Sequence, residues 1–241
     1  MENYYYLIID LATISIPLWR SFDSRANFYK RWPDLFLGIA VMSLLFIPWD
    51  IAFTSMGVWG FNPAYLTGLK IANLPVEEWL FFISIPYACL FIYEAMNYFI
   101  EKDILGKAAP IICYLLIPLL LLIGFTHLDQ WYTSVTFLLT AALLAYVAFI
   151  LKPSYLGRFF VAYFISLIPF FIVNGLLTGS WIPDQIVWYN DAENLGIRLG
   201  TIPVEDSIYM MLMLLIVTMV YERNSTVELE NQPVDRIIAP S

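Results

Sequence analysis

The sequence predicts an all-α integral membrane protein of seven transmembrane helices, built as two parallel three-helix repeats (helices 1–3 and 5–7) joined by helix 4. Three observations carry this expectation. Of the 241 residues, 61% are hydrophobic and only 13% charged, against about 25% charged in a soluble domain, so there is too little polar surface to cover a water-soluble globule. The polar residues gather in short gaps between apolar stretches of membrane-spanning length. Finally, the stretch 62–82 recurs, gap-free, at 190–210.

Hydropathy places spans at about 4–19, 34–53, 74–99, 108–125, 131–151, 158–178 and 202–221, each near the ~20 residues that cross the hydrocarbon. The first is the shortest. It has no positive residue before its apolar run and contains Asp10, so it is expected to be a retained helix and not a secretory signal. The polar segment after Glu222 carries Pro233 and Pro240 and reads as a disordered cytoplasmic tail. The expected organisation is a first repeat over 1–103, a connecting helix over 104–128, a second repeat over 129–223 and the tail over 224–241.

Charge sets the expected orientation. With the N-terminus outside, the cytoplasmic segments hold ten Lys and Arg residues and the external ones only Lys70 and Arg198, as the positive-inside rule requires of a cell-membrane protein. Trp49, Trp59, Trp79, Trp131, Trp181 and Trp188 then fall near the outer face, most of them as interfacial anchors. The 12 Lys and Arg residues form no basic stripe, which argues against nucleic-acid binding. Cys89 and Cys113 lie in apolar runs, and His127 is the single histidine, so neither a metal site nor a disulfide framework is expected.

In the repeat, NPAYLTGLKIANLPVEEWLFF aligns with NDAENLGIRLGTIPVEDSIYM. Asn62 pairs with Asn190, Gly68 with Gly196, and Pro75-Val76-Glu77-Glu78 with Pro203-Val204-Glu205-Asp206. Val58-Trp59 and Val187-Trp188 correspond only after a one-residue slip. Three spans plus a connector return the second copy in the same orientation, a parallel repeat about an axis along the membrane normal. Both prolines are expected in the first turn of their helices, where no hydrogen bond is lost.

Ionisable groups within spans are functional candidates by default. Here they are Asp10, Asp50, Glu77, Glu78, Glu94, Glu205 and Asp206. Asn174 sits late in helix 6, as Asp50 does in helix 2. Acidic residues in a first turn are ordinary helix-dipole partners; their recurrence in one frame singles out the two acidic pairs. Asp10 and Glu94 have no matched partner and read as structural. Glu77 and Phe81 share a helix face, as do Glu205 and Tyr209. An acid beside an aromatic ring suits protonation of a hydrocarbon, the ring face steadying the cation. A carboxyl in an apolar pocket keeps its proton, because desolvation of up to about 4–7 kcal/mol outweighs the ~0.3–2 kcal/mol by which a helix N-terminus favours the anion.

The motifs PVEEWLFF and PVEDSIYM, with VNGLLTG in helix 6, resemble the membrane-integral lycopene cyclase domain family, found as two small subunits in some bacteria and as the cyclase half of a bifunctional fungal enzyme. The resemblance covers about residues 4–221, as though the two subunits were joined. It implies a lycopene β-cyclase, an isomerase-type enzyme of carotenoid biosynthesis. Lycopene would pass through γ-carotene to β-carotene without net redox or cofactor. It implies Glu77 and Glu205 as proton donor and acceptor, in either order, with Glu78 and Asp206 tuning them. Asp50, Asn174, Pro75, Pro203, Phe81 and Tyr209 would support the substrate. Its partners would be the carotenoid, the lipid bilayer and other carotenoid-pathway enzymes.

Other readings are weighed by the same residues. A carotenoid hydratase would make the same cation and trap it with water. A proton-coupled transporter also suits paired acids in a repeat. A polyprenyl transferase needs Asp-rich clusters for a magnesium diphosphate, and none is present. A retinal photoreceptor needs a lysine in the last helix, which 202–221 lacks. No Gly-x-Gly-x-x-Gly occurs, which sets aside the flavin-carrying cyclases.

Overall fold

A computed structural model describes residues 2–25 and 27–230. Among them are seven long helices: α1 (Tyr5–Arg20), α2 (Trp32–Met56), α3 (Val76–Phe99), α4 (Ala109–Thr126), α5 (Trp131–Ala145), α6 (Leu156–Leu177) and α7 (Val204–Glu230). α5 runs on as a π-helical turn over Tyr146–Leu151. Six of the helices are long and apolar enough to cross a membrane, which makes the chain a multi-pass membrane protein. α1, with 16 residues, rises only about 24 Å, short of the ~30 Å hydrocarbon core. α7 continues to Glu230, past residue 223 where the sequence reading began the tail; the remainder of that expected tail lies outside the described residues.

The chain divides into two repeat-like halves. The strands β1 (Trp59–Phe61), β2 (Lys70–Ile71) and β3 (Leu74–Pro75) lead into α3. Strands β4 (Val187–Tyr189), β5 (Arg198–Leu199) and β6 (Ile202–Pro203) lead into α7. Every one of these elements in the second half starts 128 positions after its counterpart in the first. The frame therefore has no slip, which corrects the pairing of Trp59 with Trp188: Trp59 is 6% exposed, Trp188 is 41% exposed, and the counterpart of Trp59 is Val187. β1 and β4 pair antiparallel as Trp59↔Tyr189, Gly60↔Trp188 and Phe61↔Val187. The equivalent residues Gly60 and Trp188 thus face each other at the centre, a local two-fold that ties the halves together.

Local chemistry fixes the loops. Asn62 and Asn190 each accept from the N–H two residues on, opening matching short turns. The β2–β3 and β5–β6 hairpins turn through Ala72 (φ 56°) and Gly200 (φ 68°), so alanine holds a left-handed conformation that its counterpart meets with glycine. Pro75 and Pro203 close their hairpins by pairing with Lys70 and Arg198. They sit just before α3 and α7 instead of inside the first turn, because their extended backbone (ψ 150° at Pro75) ends the ladder and hands over to the helix.

Packing crosses the halves. α1 lies on α3 and α5 on α7, but α2 packs on α7 and α6 on α3. α7 is apolar nearly all round and is buried all round from Met210 to Val217, as expected of a central helix. α2 approaches it closely: a Cβ on Gly38 would lie 2.9 Å from the Val217 carbonyl, the small-residue contact typical of membrane helices. α4 packs on α5 and exposes Leu115, Leu122 and Phe125, a lipid-type surface. At the end of the bundle opposite the hairpins, Arg31 stacks on the Tyr221 ring at 3.8 Å and donates to its carbonyl at 2.7 Å. Tyr221 in turn donates to Glu94 at 2.7 Å, so Glu94 is part of a clamp joining the turn just before α2 to α3 and α7.

Candidate active site

The starts of α1, α3, α5 and α7 and the ends of α2 and α6 meet at one end of the bundle, beneath the hairpins. Between them lies a cavity of about 50 Å³, lined by Asp50, Glu78, Asn174 and Asp206 together with Tyr6, Trp59, Phe61, Phe81, Tyr132, Phe170, Tyr189 and Tyr209, and by Leu177 and Val187. All four of those polar side chains are buried. Both repeats contribute to the one cavity.

In the first half, Tyr6 donates its hydroxyl to Glu78 Oε2 at 2.5 Å. The carboxyl of Asp50 adjoins that of Glu78 and accepts from Trp59 Nε1 at 2.5 Å and Thr54 at 3.2 Å. Asp50 Oδ2 has no conventional partner. In the second half, Tyr132 donates to Asp206 Oδ1 at 2.5 Å, and Asn174 Nδ2 and Tyr189 donate to Oδ2 at 2.6 and 3.0 Å. The halves match in plan, each with a tyrosine from the start of its first helix bound to the second acid of its motif. They differ where Asp50 stands in place of Asn174. One half therefore presents two adjoining carboxyls, and the other a single carboxyl held by three donors.

Glu77 and Glu205 are placed differently. Both are fully buried, yet neither lines the cavity. Glu77 Oε1 accepts the Thr67 backbone N–H at 2.7 Å. Glu205 Oε1 accepts the Leu195 N–H at 2.8 Å and the Thr133 hydroxyl at 2.7 Å. Thr67 and Leu195 are equivalent positions, so each glutamate satisfies a loop N–H that burial would otherwise leave unpaired. The second oxygen of each has no partner. A step of one residue along a helix turns the side chain by about 100°, enough to send the two acids of each motif to different surroundings.

Phe81 and Tyr209 do line the cavity, three residues on from Glu78 and Asp206. Tyr209 packs against Phe46 at 4.8 Å, Trp49 at 5.1 Å, and Trp59 and Tyr132 at 6.2 Å. Trp49 and Trp59 are therefore parts of this aromatic wall and not interfacial anchors; of the six, Trp131, Trp181 and Trp188 are the exposed ones. Burial and the nearby Asp206 push the Tyr189 phenol well above its usual range, so it serves as a donor. Pro75 and Pro203 lie outside the cavity. Asp10 accepts from Ser84 at 3.3 Å between α1 and α3.

Tyr6, Trp59, Tyr132 and Tyr189 were not legible as site residues. The signal for Tyr6 and Tyr132 was a tyrosine at the start of the first helix of each repeat, hidden because these helices align with the motif frame only after a two-residue shift. No group of three or more His, Cys, Asp or Glu among the described residues is arranged to hold a metal.

A family profile described as lycopene cyclase matches residues 3–96 and 129–223, once in each half and leaving out the connector. No curated protein matches the chain at a significant level, and no solved structure does.

Proposed function

The chain belongs to the lycopene cyclase family, and on that premise we propose that it closes rings at the ends of a linear carotenoid, converting lycopene to β-carotene through γ-carotene by proton transfer with no net redox change. The observation that supports this best is the convergence of Asp50, Glu78 and Asp206, from both halves, on one cavity walled by aromatic rings.

In this reading the donor and acceptor are Glu78 and Asp206, not their neighbours Glu77 and Glu205, whose oxygens hold the loops. Two adjoining carboxyls, Asp50 and Glu78, share one proton and so avoid facing like charges. That proton passes to the terminal double bond of the polyene and leaves a tertiary cation. The next double bond attacks the cation with its electron pair and forms the ring bond. Asp206, already an acceptor from three donors, takes the proton lost as the ring double bond forms. The product has the composition of the substrate. Tyr209, Trp59 and Phe81 steady the cation through their ring faces, at ~0.5–2 kcal/mol each.

The topology follows the same reading. α1 completes seven spans, its short length made up by tilt-free placement and local thinning of the bilayer. The motif end faces outward, with the N-terminus outside and the Arg31 clamp on the cytoplasmic side.

The test is expression in cells that accumulate lycopene, with pigments separated and weighed. The wild-type chain yields cyclic carotenoids of unchanged mass. Glu78→Gln and Asp206→Asn each abolish them while the chain still reaches the membrane. Normal cyclisation by both variants overturns the assignment of the acids, and products heavier by one water point to a hydratase.

A further inference from the structure

We infer that the conjugated chain of the substrate lies in an apolar groove between α1, α3 and α6, and that the fold provides this track on one side only. The inference rests on the carotenoid reading above. The groove holds about 230 Å³ and is lined by Ala12, Pro17, Ile85, Ala88, Cys89 and Val173 among others. Its polar lining is confined to Thr13 and Ser166, which suits a hydrocarbon.

The groove adjoins the carboxyl cavity. Phe170 lines both. On α3, Glu78 and Phe81 line the cavity, and Ile85, Ala88 and Ile92 line the groove, at the spacing of a single helix face. That stripe runs ~21 Å along the helix at 1.5 Å per residue. A long polyene laid along it brings its end to Glu78 while the rest stays among apolar side chains. The cavity alone is too small for more than the end of such a molecule.

The matching position in the other half is filled. Cys89, in the groove, corresponds to Val217, whose backbone lies against Gly38 of α2. Phe46 stands four residues before Asp50, as Phe170 does before Asn174, but it is fully buried and packs edge-on against Tyr209 at 4.8 Å. The close approach of α2 to α7 leaves no second track. With one groove, the two ends of a linear substrate enter in succession, and the singly cyclised molecule leaves and turns round between rounds.

Groove-filling variants test this in the full-length chain. Ala88→Trp is expected to lower the cyclisation rate at limiting lycopene by roughly tenfold or more, and Ala88→Leu by less. Leu44→Trp, at a lipid-type surface position 78% exposed, leaves the rate unchanged. In a Glu78→Gln background, purified from lycopene-accumulating cells, the chain carries bound lycopene, and adding Ala88→Trp removes it without altering the elution of the protein. If Ala88→Trp does not insert, Ala88→Leu decides by the same two readouts. Control-like rates with retained pigment overturn the inference, as does loss of copurifying phospholipid with unchanged lycopene turnover. Absence of cyclic product from the wild-type chain in the same assay instead removes the functional reading beneath it.

Discussion

Asn174 donates to Asp206 across α6 and α7 at 2.6 Å, and the residue in its place in the first half is the carboxyl-bearing Asp50. The first arm instead sets the Asp50 carboxyl beside Glu78, and in the proposed reading this asymmetry gives the cavity its proton-donating and proton-accepting sides. Asn174→Leu removes one of the three donors on Asp206. A hydrogen bond to a charged group is worth ~1.5–3 kcal/mol, so turnover is expected to fall by roughly 10- to 100-fold with little change in the amount of folded protein. Initial rates in isolated membranes check this, and wild-type turnover in the variant contradicts it.

The loop-holding glutamates are expected to act on stability first. Glu205→Ala strips a partner from both the Leu195 N–H and the Thr133 hydroxyl, and Glu77→Ala from the Thr67 N–H alone. At about 1–3 kcal/mol for each buried group left unpaired, Glu205→Ala lowers the midpoint of thermal inactivation further than Glu77→Ala. Equal midpoints for the two variants contradict the account.

Ala72 holds a left-handed conformation that costs a non-glycine residue about 1–2 kcal/mol. Ala72→Gly is expected to stabilise the chain by ~0.5–1 kcal/mol once the greater freedom of unfolded glycine is set against that cost. Gly200→Ala, the reverse change in the second copy, destabilises by a similar amount. Paired unfolding curves in detergent read both effects, and the same sign for the two changes contradicts the prediction.

Much of the architecture was legible in the sequence because burial in lipid needs long apolar runs, and the repeat needs its polar punctuation twice. The recurrence of Pro-Val-Glu-acidic pointed to the two helix starts whose Glu78 and Asp206 line the cavity. Which acid of each pair faces the cavity was not legible, because adjacent helix positions differ by ~100° and the face is chosen by partners far off in sequence. Tyr6 reaches Glu78 and Tyr132 reaches Asp206 only after α1 has docked on α3 and α5 on α7. The crossed packing of α2 on α7 and α6 on α3 left no periodic trace either, since Gly38 reads as an ordinary small residue until Val217 is set against it.

That contact makes Gly38 a sensitive position. Gly38→Val forces side-chain atoms into the backbone of α7, and overpacking of this kind costs ~1–3 kcal/mol. A lower yield of folded protein is expected, with cyclisation per folded molecule reduced as α2 carries Asp50 away from Glu78. Separate measurement of yield and specific activity checks both parts, and a variant normal in both contradicts the packing.

The most direct measurement of the central claim, that a carboxylic acid of the chain hands a proton to an alkene, is the mass of the carotenoid formed from lycopene by membranes equilibrated in heavy water. The account predicts one non-exchanging deuterium for each ring closed, in the wild-type chain and with none gained by the pigment in the Glu78→Gln variant. Cyclic product free of deuterium contradicts it.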